Sequence, residues 1–227
     1  DEVIVTPRSF IASVSTVVNA GAMPVFADVD NNTGNISATT IAPKITDKTK
    51  AIICVHLAGW PCDMDEIMAL AKQHNLWVIE DCAQAHGAKY KGKPVGSIGH
   101  VGAWSFCQDK IMTTGGEGGM VTTNDKALWQ KMWEYKDHGK NYDSIYHKQH
   151  PPGFRWLHDS FGTNWRMMEM QAVIGRIQLK KMAEWTNIRT QNANILRDAL
   201  TQFAGEQQFL RIPDIEFHQV MGSDSVH

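Results

Sequence analysis

Trp77-Val78-Ile79-Glu80-Asp81 is a short apolar run that closes on two acids, and the chain is best read outward from it. A run of this length and composition forms a buried strand. Side chains alternate along a strand, so Glu80 and Asp81 point to opposite faces and only one of them can serve a given site. Runs of the same kind recur at 3–5, 25–29, 51–56, 101–106 and 120–123. Helical patterns lie between them. Residues 11–20 carry Val14, Val17 and Val18 on one face, with Gly21 placed to stop the helix. Residues 65–74 put Ile67, Leu70 and Ala71 on one stripe, with acids at the start and Asn75 past the end. Residues 126–135 follow Asn124-Asp125, a capping pair. The alternation predicts an α/β fold in which helices cover a mainly parallel central sheet. Such sheets hold ligands beyond the carboxyl ends of their strands. Asp81 and the loop after Phe106 both fall there.

That loop reads Trp104-Ser105-Phe106-Cys107-Gln108-Asp109-Lys110 and runs on to Gly115-Gly116-Glu117-Gly118-Gly119. A free lysine has a pKa of about 10.4 and is not nucleophilic at neutral pH. Desolvation and a nearby cation lower that value and free the amine to form a Schiff base with an aldehyde. Pyridoxal phosphate (PLP) needs such a lysine. It also needs an acid that keeps its pyridine nitrogen protonated, because only then does the ring act as an electron sink. Lys110 and Asp81 are the pair that suits this chemistry. The plainer readings are a solvated lysine and a carboxylate capping a neighbouring helix. The glycine run permits close backbone approach, but it is neither a P-loop nor a dinucleotide fingerprint.

Composition narrows the classes. With 227 residues, 43% hydrophobic and 20% charged, the chain has the make-up of an ordinary globular protein. A net charge of −2 gives no electrostatic reason to bind nucleic acid or an anionic membrane. No apolar run reaches the roughly 18–20 residues of a membrane span. Cys54, Cys62, Cys82 and Cys107 form no CxxC pair, which fits a reducing cytoplasm, and the ten histidines show no metal-binding spacing, so no metal is expected. Residues 137–161 break the alternation and contain Pro151-Pro152-Gly153; their Arg155, Lys148, His147 and His150 suit a diphosphate or simply a solvated loop. Met167, Met170, Val173, Ile174 and Ile177 then recur at helical spacing, and a long helical stretch runs towards Phe203. The expected division is one domain over 1–208 and the start of a small second one over 209–227. The chain opens on Asp1-Glu2-Val3, straight into a strand pattern without Met, as a fragment of a longer protein would.

Several stretches resemble the DegT/StrS family of nucleotide-sugar aminotransferases, PLP enzymes of fold type I. They are Val55-His56-Leu57-Ala58-Gly59, the segment from Glu80 to Ala88, Ser105-Phe106 through Lys110 to Gly119, Asp137-His138-Gly139, and Gly162-Thr163-Asn164-Trp165-Arg166-Met167 with Glu169, Gln171 and Ala172. The resemblance implies the three-layer large domain of these transferases, truncated at both ends. In it Lys110 would hold PLP as the internal aldimine and shuttle a proton. Asp81 would pair with the pyridine N–H, Gln84 would lie by the phenolic oxygen, and Ser105 would bind the phosphate. Phe10 would stack on the ring, and Asn164 would reach the cofactor of the neighbouring subunit in a homodimer with shared active sites. The plainer roles are core packing for Phe10, a backbone-satisfied hydroxyl for Ser105 and a turn or cap for Asn164. The implied reaction is a ping-pong transfer of an amino group from an amino acid, glutamate foremost, to a keto-sugar nucleotide. Three alternatives stand beside it: a keto-cyclitol acceptor, a non-catalytic regulatory relative, and an unrelated α/β binding module. The absence of the family's preceding phosphate loop and of most of its C-terminal domain leads us to expect poor PLP binding by these residues alone.

Overall fold

The computed structural model describes residues 1–204 and residue 212. The expected division at 208/209, and the unit beyond it, lie outside the described residues. Six strands form the main sheet: β1 (Glu2–Val5), β2 (Met23–Phe26), β3 (Thr49–Val55), β4 (Trp77–Asp81), β7 (Val101–Ser105) and β8 (Gly119–Thr122), in the order β2-β1-β3-β4-β7-β8. All neighbours run parallel except β7 and β8, so the sheet is mainly parallel as the alternation requires. Between β4 and β7 lies a small antiparallel hairpin, β5 (Lys89–Tyr90) with β6 (Lys93–Pro94).

Strand parity sorts the core into two layers. Ile4, Ile52, Cys54 and Val78 pack with Met64, Ile67 and Ala71 of helix α3 (Met64–Gln73) on one face. Val5, Ile53 and Val55, with Ile79, pack against Val14 and Val17 of helix α1 (Ala12–Asn19) on the other. Helices therefore cover both faces, giving three layers. The helix stops also agree with the sequence: Gly21 takes φ 75° and Asn75 φ 55°, both left-handed. Helix α4 (Lys126–Lys136) is capped by Asp125, whose Oδ1 accepts the amides of Ala127 (2.7 Å) and Leu128 (3.1 Å). Asp125→Ala is expected to destabilise the protein by about 1 kcal/mol, read as a lower thermal unfolding midpoint.

Three features depart from the sequence reading. The β5–β6 hairpin was not expected; Lys91 and Gly92 make its two-residue turn with φ 48° and 79°, both positive as in a type I′ turn. The stretch read as irregular contains a short helix, α5 (Tyr142–Tyr146), started by Asn141 Oδ1 accepting the Ser144 amide at 2.7 Å. Its Tyr142 ring packs on Trp129 and Trp133 of α4. The long helical stretch is two helices, α6 (Glu169–Leu179) and α7 (Met182–Ala204), broken at Lys180-Lys181. Met167 precedes α6 rather than sharing its stripe. A four-residue helix, α2 (Ala38–Ile41), completes the set.

Candidate active site

The site is built from the carboxyl ends of the adjacent strands β4 and β7. Asp81 pairs in register with Val55 of β3 and Ala103 of β7. Register partners share a face, so Asp81, Ala103 and, two residues on, Ser105 belong to the face covered by α1. Glu80 falls on the α3 face. Alternation alone leaves the choice between the two acids open, and their surroundings differ.

Glu80 is fully buried and fully used. Its Oε1 accepts the amides of Ile98 (2.8 Å) and Gly99 (2.6 Å), and its Oε2 accepts the Gly96 amide (2.8 Å) and contacts His56 Nε2 (3.0 Å). His56 Nδ1 accepts the Cys62 amide at 3.1 Å, so its proton sits on Nε2 and the ring is a neutral donor to Glu80. Burial pushes the Glu80 carboxyl pKa up, but the His56 hydrogen bond and the loop amides outweigh it and hold the group below the usual glutamate value. Cys82 lies close enough to make His56–Glu80–Cys82 a geometric metal trio within 4.8 Å. However, the imidazole nitrogens and the carboxylate are already engaged in hydrogen bonds, and burial raises the Cys82 thiol far from thiolate formation. The trio is a structural network.

Asp81, by contrast, is half-buried. Its Oδ2 accepts from Ser13 Oγ (2.7 Å) and its Oδ1 from the Ala83 amide (3.1 Å). Each oxygen keeps a lone pair for a further donor. Gln84 Oε1 accepts the Ala58 amide at 2.8 Å, tying the turn after β4 to the one after β3. Ser105 Oγ accepts the Cys107 amide at 3.3 Å, a contact to backbone. Lys110 closes the tight turn after β7 through its amide to the Cys107 carbonyl (3.0 Å). Its side chain is 19% exposed and its Nζ lies 3.6 Å from Asp109 Oδ1. The Phe10 ring is 71% exposed, so it is not core packing. Asn164 bridges to Asp137 and accepts from Arg166 Nε at 3.2 Å; these contacts lie within the 137–166 segment rather than with the β4–β7 edge.

The sequence reading passed over two residues. Ser13 sits one turn after Phe10 and grips Asp81; its helical spacing from Phe10 was the available signal. His86 is buried between the rings of Trp104 and Phe106, with neither nitrogen in a well-formed hydrogen bond. Burial lowers its pKa against the pull of the Ser105 carbonyl, and the Lys110 charge lowers it further, so the ring beside the site is neutral. A carboxylate with free lone pairs, a partly shielded amine and an uncovered aromatic ring suit a flat, cationic, aldehyde-bearing ring such as PLP.

Comparisons with known proteins cover most of the chain. The model of the "DegT/DnrJ/EryC1/StrS aminotransferase family" matches residues 1–223. A GDP-perosamine synthase of Escherichia coli O157:H7 is 47% identical over 197 residues, covering 87% of this chain and 51% of the relative. A UDP-N-acetyl-3-dehydro-alpha-D-glucosamine 3-aminotransferase of Acidithiobacillus ferrooxidans is 45% identical over 193 residues, covering 85% and 49%. The X-ray structure of the aminotransferase from Psychrobacter cryohalolentis superposes with a TM-score of 0.89 at 72% identity, over 91% of this chain and 52% of that one. The chain thus spans about half the length of the curated relatives it matches. It belongs to the DegT/DnrJ/EryC1/StrS aminotransferase family.

Proposed function

We propose that the chain is the cofactor-holding part of a PLP-dependent aminotransferase that moves an amino group from an amino acid, glutamate foremost, to a keto-sugar nucleotide in a ping-pong cycle. What supports this most is that Asp81 ends β4 and Lys110 follows β7, two neighbouring strands, in a chain of this family. PLP, when bound, supplies the electron sink that makes amino transfer possible. The chain's own residues do the rest. Asp81 is the anionic acceptor for the pyridine N–H. Lys110 tethers the cofactor and carries a proton on Nζ. Ser105 takes the phosphate, Gln84 the phenolic oxygen, and Phe10 covers one face of the ring.

Asn164 serves the neighbouring subunit's cofactor in a homodimer. In support, residues beside it and on α6 present uncovered apolar groups: Phe161 is 99% exposed, Trp165 69% and Met170 70%. A cytoplasmic location fits the cysteine usage, and no helix among the described residues is long and apolar enough to cross a membrane. The two curated relatives are named for a GDP-linked and a UDP-linked sugar, which supports a nucleotide-linked keto-sugar as the acceptor class.

The test is to incubate the full-length protein with glutamate and a panel of keto-sugar nucleotides and keto-inositols, and to identify products by mass. An amino-sugar nucleotide with stoichiometric 2-oxoglutarate is the expected result. Amination of keto-inositols alone would replace the acceptor. A protein that takes no amine from glutamate or any other amino acid would be a regulator rather than an enzyme.

A further inference from the structure

Asp81 is not held by its own turn alone. Ser13, in the first turn of α1, is 6% exposed, and its Oγ lies 2.7 Å from Asp81 Oδ2. A serine hydroxyl carries one proton and a carboxylate only accepts, so Ser13 is the donor. The hydroxyls of Ser9 and Ser13 are 2.6 Å apart. With the Ser13 proton committed to Asp81, Ser9 must donate to Ser13. The result is a directed relay, Ser9 to Ser13 to Asp81, in which each hydrogen bond polarises the next. Phe10 lies inside it: its carbonyl accepts the Ser13 amide at 3.1 Å. The turn that presents the exposed Phe10 ring is therefore fastened to the carboxylate through a side-chain contact 68 residues away in sequence.

We propose that Ser13 is a positioning residue for the cofactor site. It fixes the orientation of the Asp81 carboxylate, leaves a lone pair of Asp81 free for a cationic ring N–H, and ties the backbone that carries Phe10 to that carboxylate. The proposal rests on the PLP reading above. Ala83 alone holds Oδ1 from the β4 side, so loss of Ser13 frees the carboxylate to rotate and accept water instead.

The experiment uses the full-length protein. S13A is expected to raise the PLP dissociation constant about tenfold, the size of one hydrogen bond to a charged group. It is also expected to alter the pH profile of the visible PLP absorption band, because the acid facing the ring nitrogen is no longer fixed. S13T, which keeps the hydroxyl, restores both, and S9A shows a smaller loss of the same kind. If S13A does not fold, S13C, near-isosteric with a weak donor, reads the same loss. Wild-type affinity in S13A overturns the proposal. So does a lower unfolding midpoint with an unmoved band profile, the mark of a tie that merely anchors α1. Failure of S13T to restore the site overturns it too. If the wild-type protein takes up no PLP, the functional reading fails, and the carbon-13 carboxyl chemical shift of Asp81 in the apo-protein at neutral pH still decides this inference: it moves in S13A if Ser13 grips the group and is unchanged if it does not.

Discussion

Replacing Lys110 with alanine in the full-length protein is expected to remove the visible absorption of bound PLP and to lower amino transfer by about 10²–10⁴-fold, the usual weight of a positioned proton-transfer group. The amine is suited to the task by its surroundings. It follows β7 directly, in a turn closed by its own amide, and four-fifths of its side chain is shielded. Lys110→Arg should show the same loss while keeping the charge, because a guanidinium stays protonated and cannot attack an aldehyde. Borohydride reduction followed by peptide mass analysis checks the attachment point. A K110A protein that keeps the band, or a reduced wild-type protein labelled at another lysine, would remove Lys110 from the site.

How far the sequence carried this reading differs between the sheet and the site. Apolar runs of six residues (51–56) and five (77–81) announce β3 and β4, because a buried parallel strand needs both faces apolar. The β5–β6 hairpin escaped notice because two-residue strands have no periodicity to read. α5, at five residues, is just over one turn and depends on aromatic contacts with α4 that sequence cannot show. In the site, alternation split Glu80 from Asp81 but could not say which faced which helix. That needed the packing of α1 and α3. Ser13 and His86 were overlooked for a related reason: each matters through partners far away in the chain, Asp81 for one and Trp104 and Phe106 for the other.

The largest stability effect is expected at Glu80. Each of its oxygens accepts two donors, Ile98 and Gly99 on Oε1, Gly96 and His56 on Oε2. In Glu80→Gln, whichever way the amide turns, its NH₂ faces two buried N–H groups. His56 cannot relieve the conflict by changing tautomer, because its Nδ1 is needed to accept the Cys62 amide. Gly96 sits at φ 78°, and a Cβ at Gly99 would lie 3.2 Å from Glu80 Cγ, so these glycines let the amides close on the carboxylate. The variant should lose about 3–5 kcal/mol, the scale of breaking a buried charged network from one side. Acid should act in the same way on the wild type. The folded-state pKa of Glu80 lies below its ordinary value, so the unfolded chain takes up this proton first. The stability it contributes is complete above the ordinary glutamate pKa of about 4.3 and is lost as pH falls through the lower folded value. Thermal midpoints of wild type and E80Q from neutral pH into the acid range should therefore start far apart and converge. A midpoint for E80Q within about a degree of wild type at neutral pH, or a gap that does not narrow on acidification, would show that the network on the α3 face does not hold the end of β4 on which Asp81 stands.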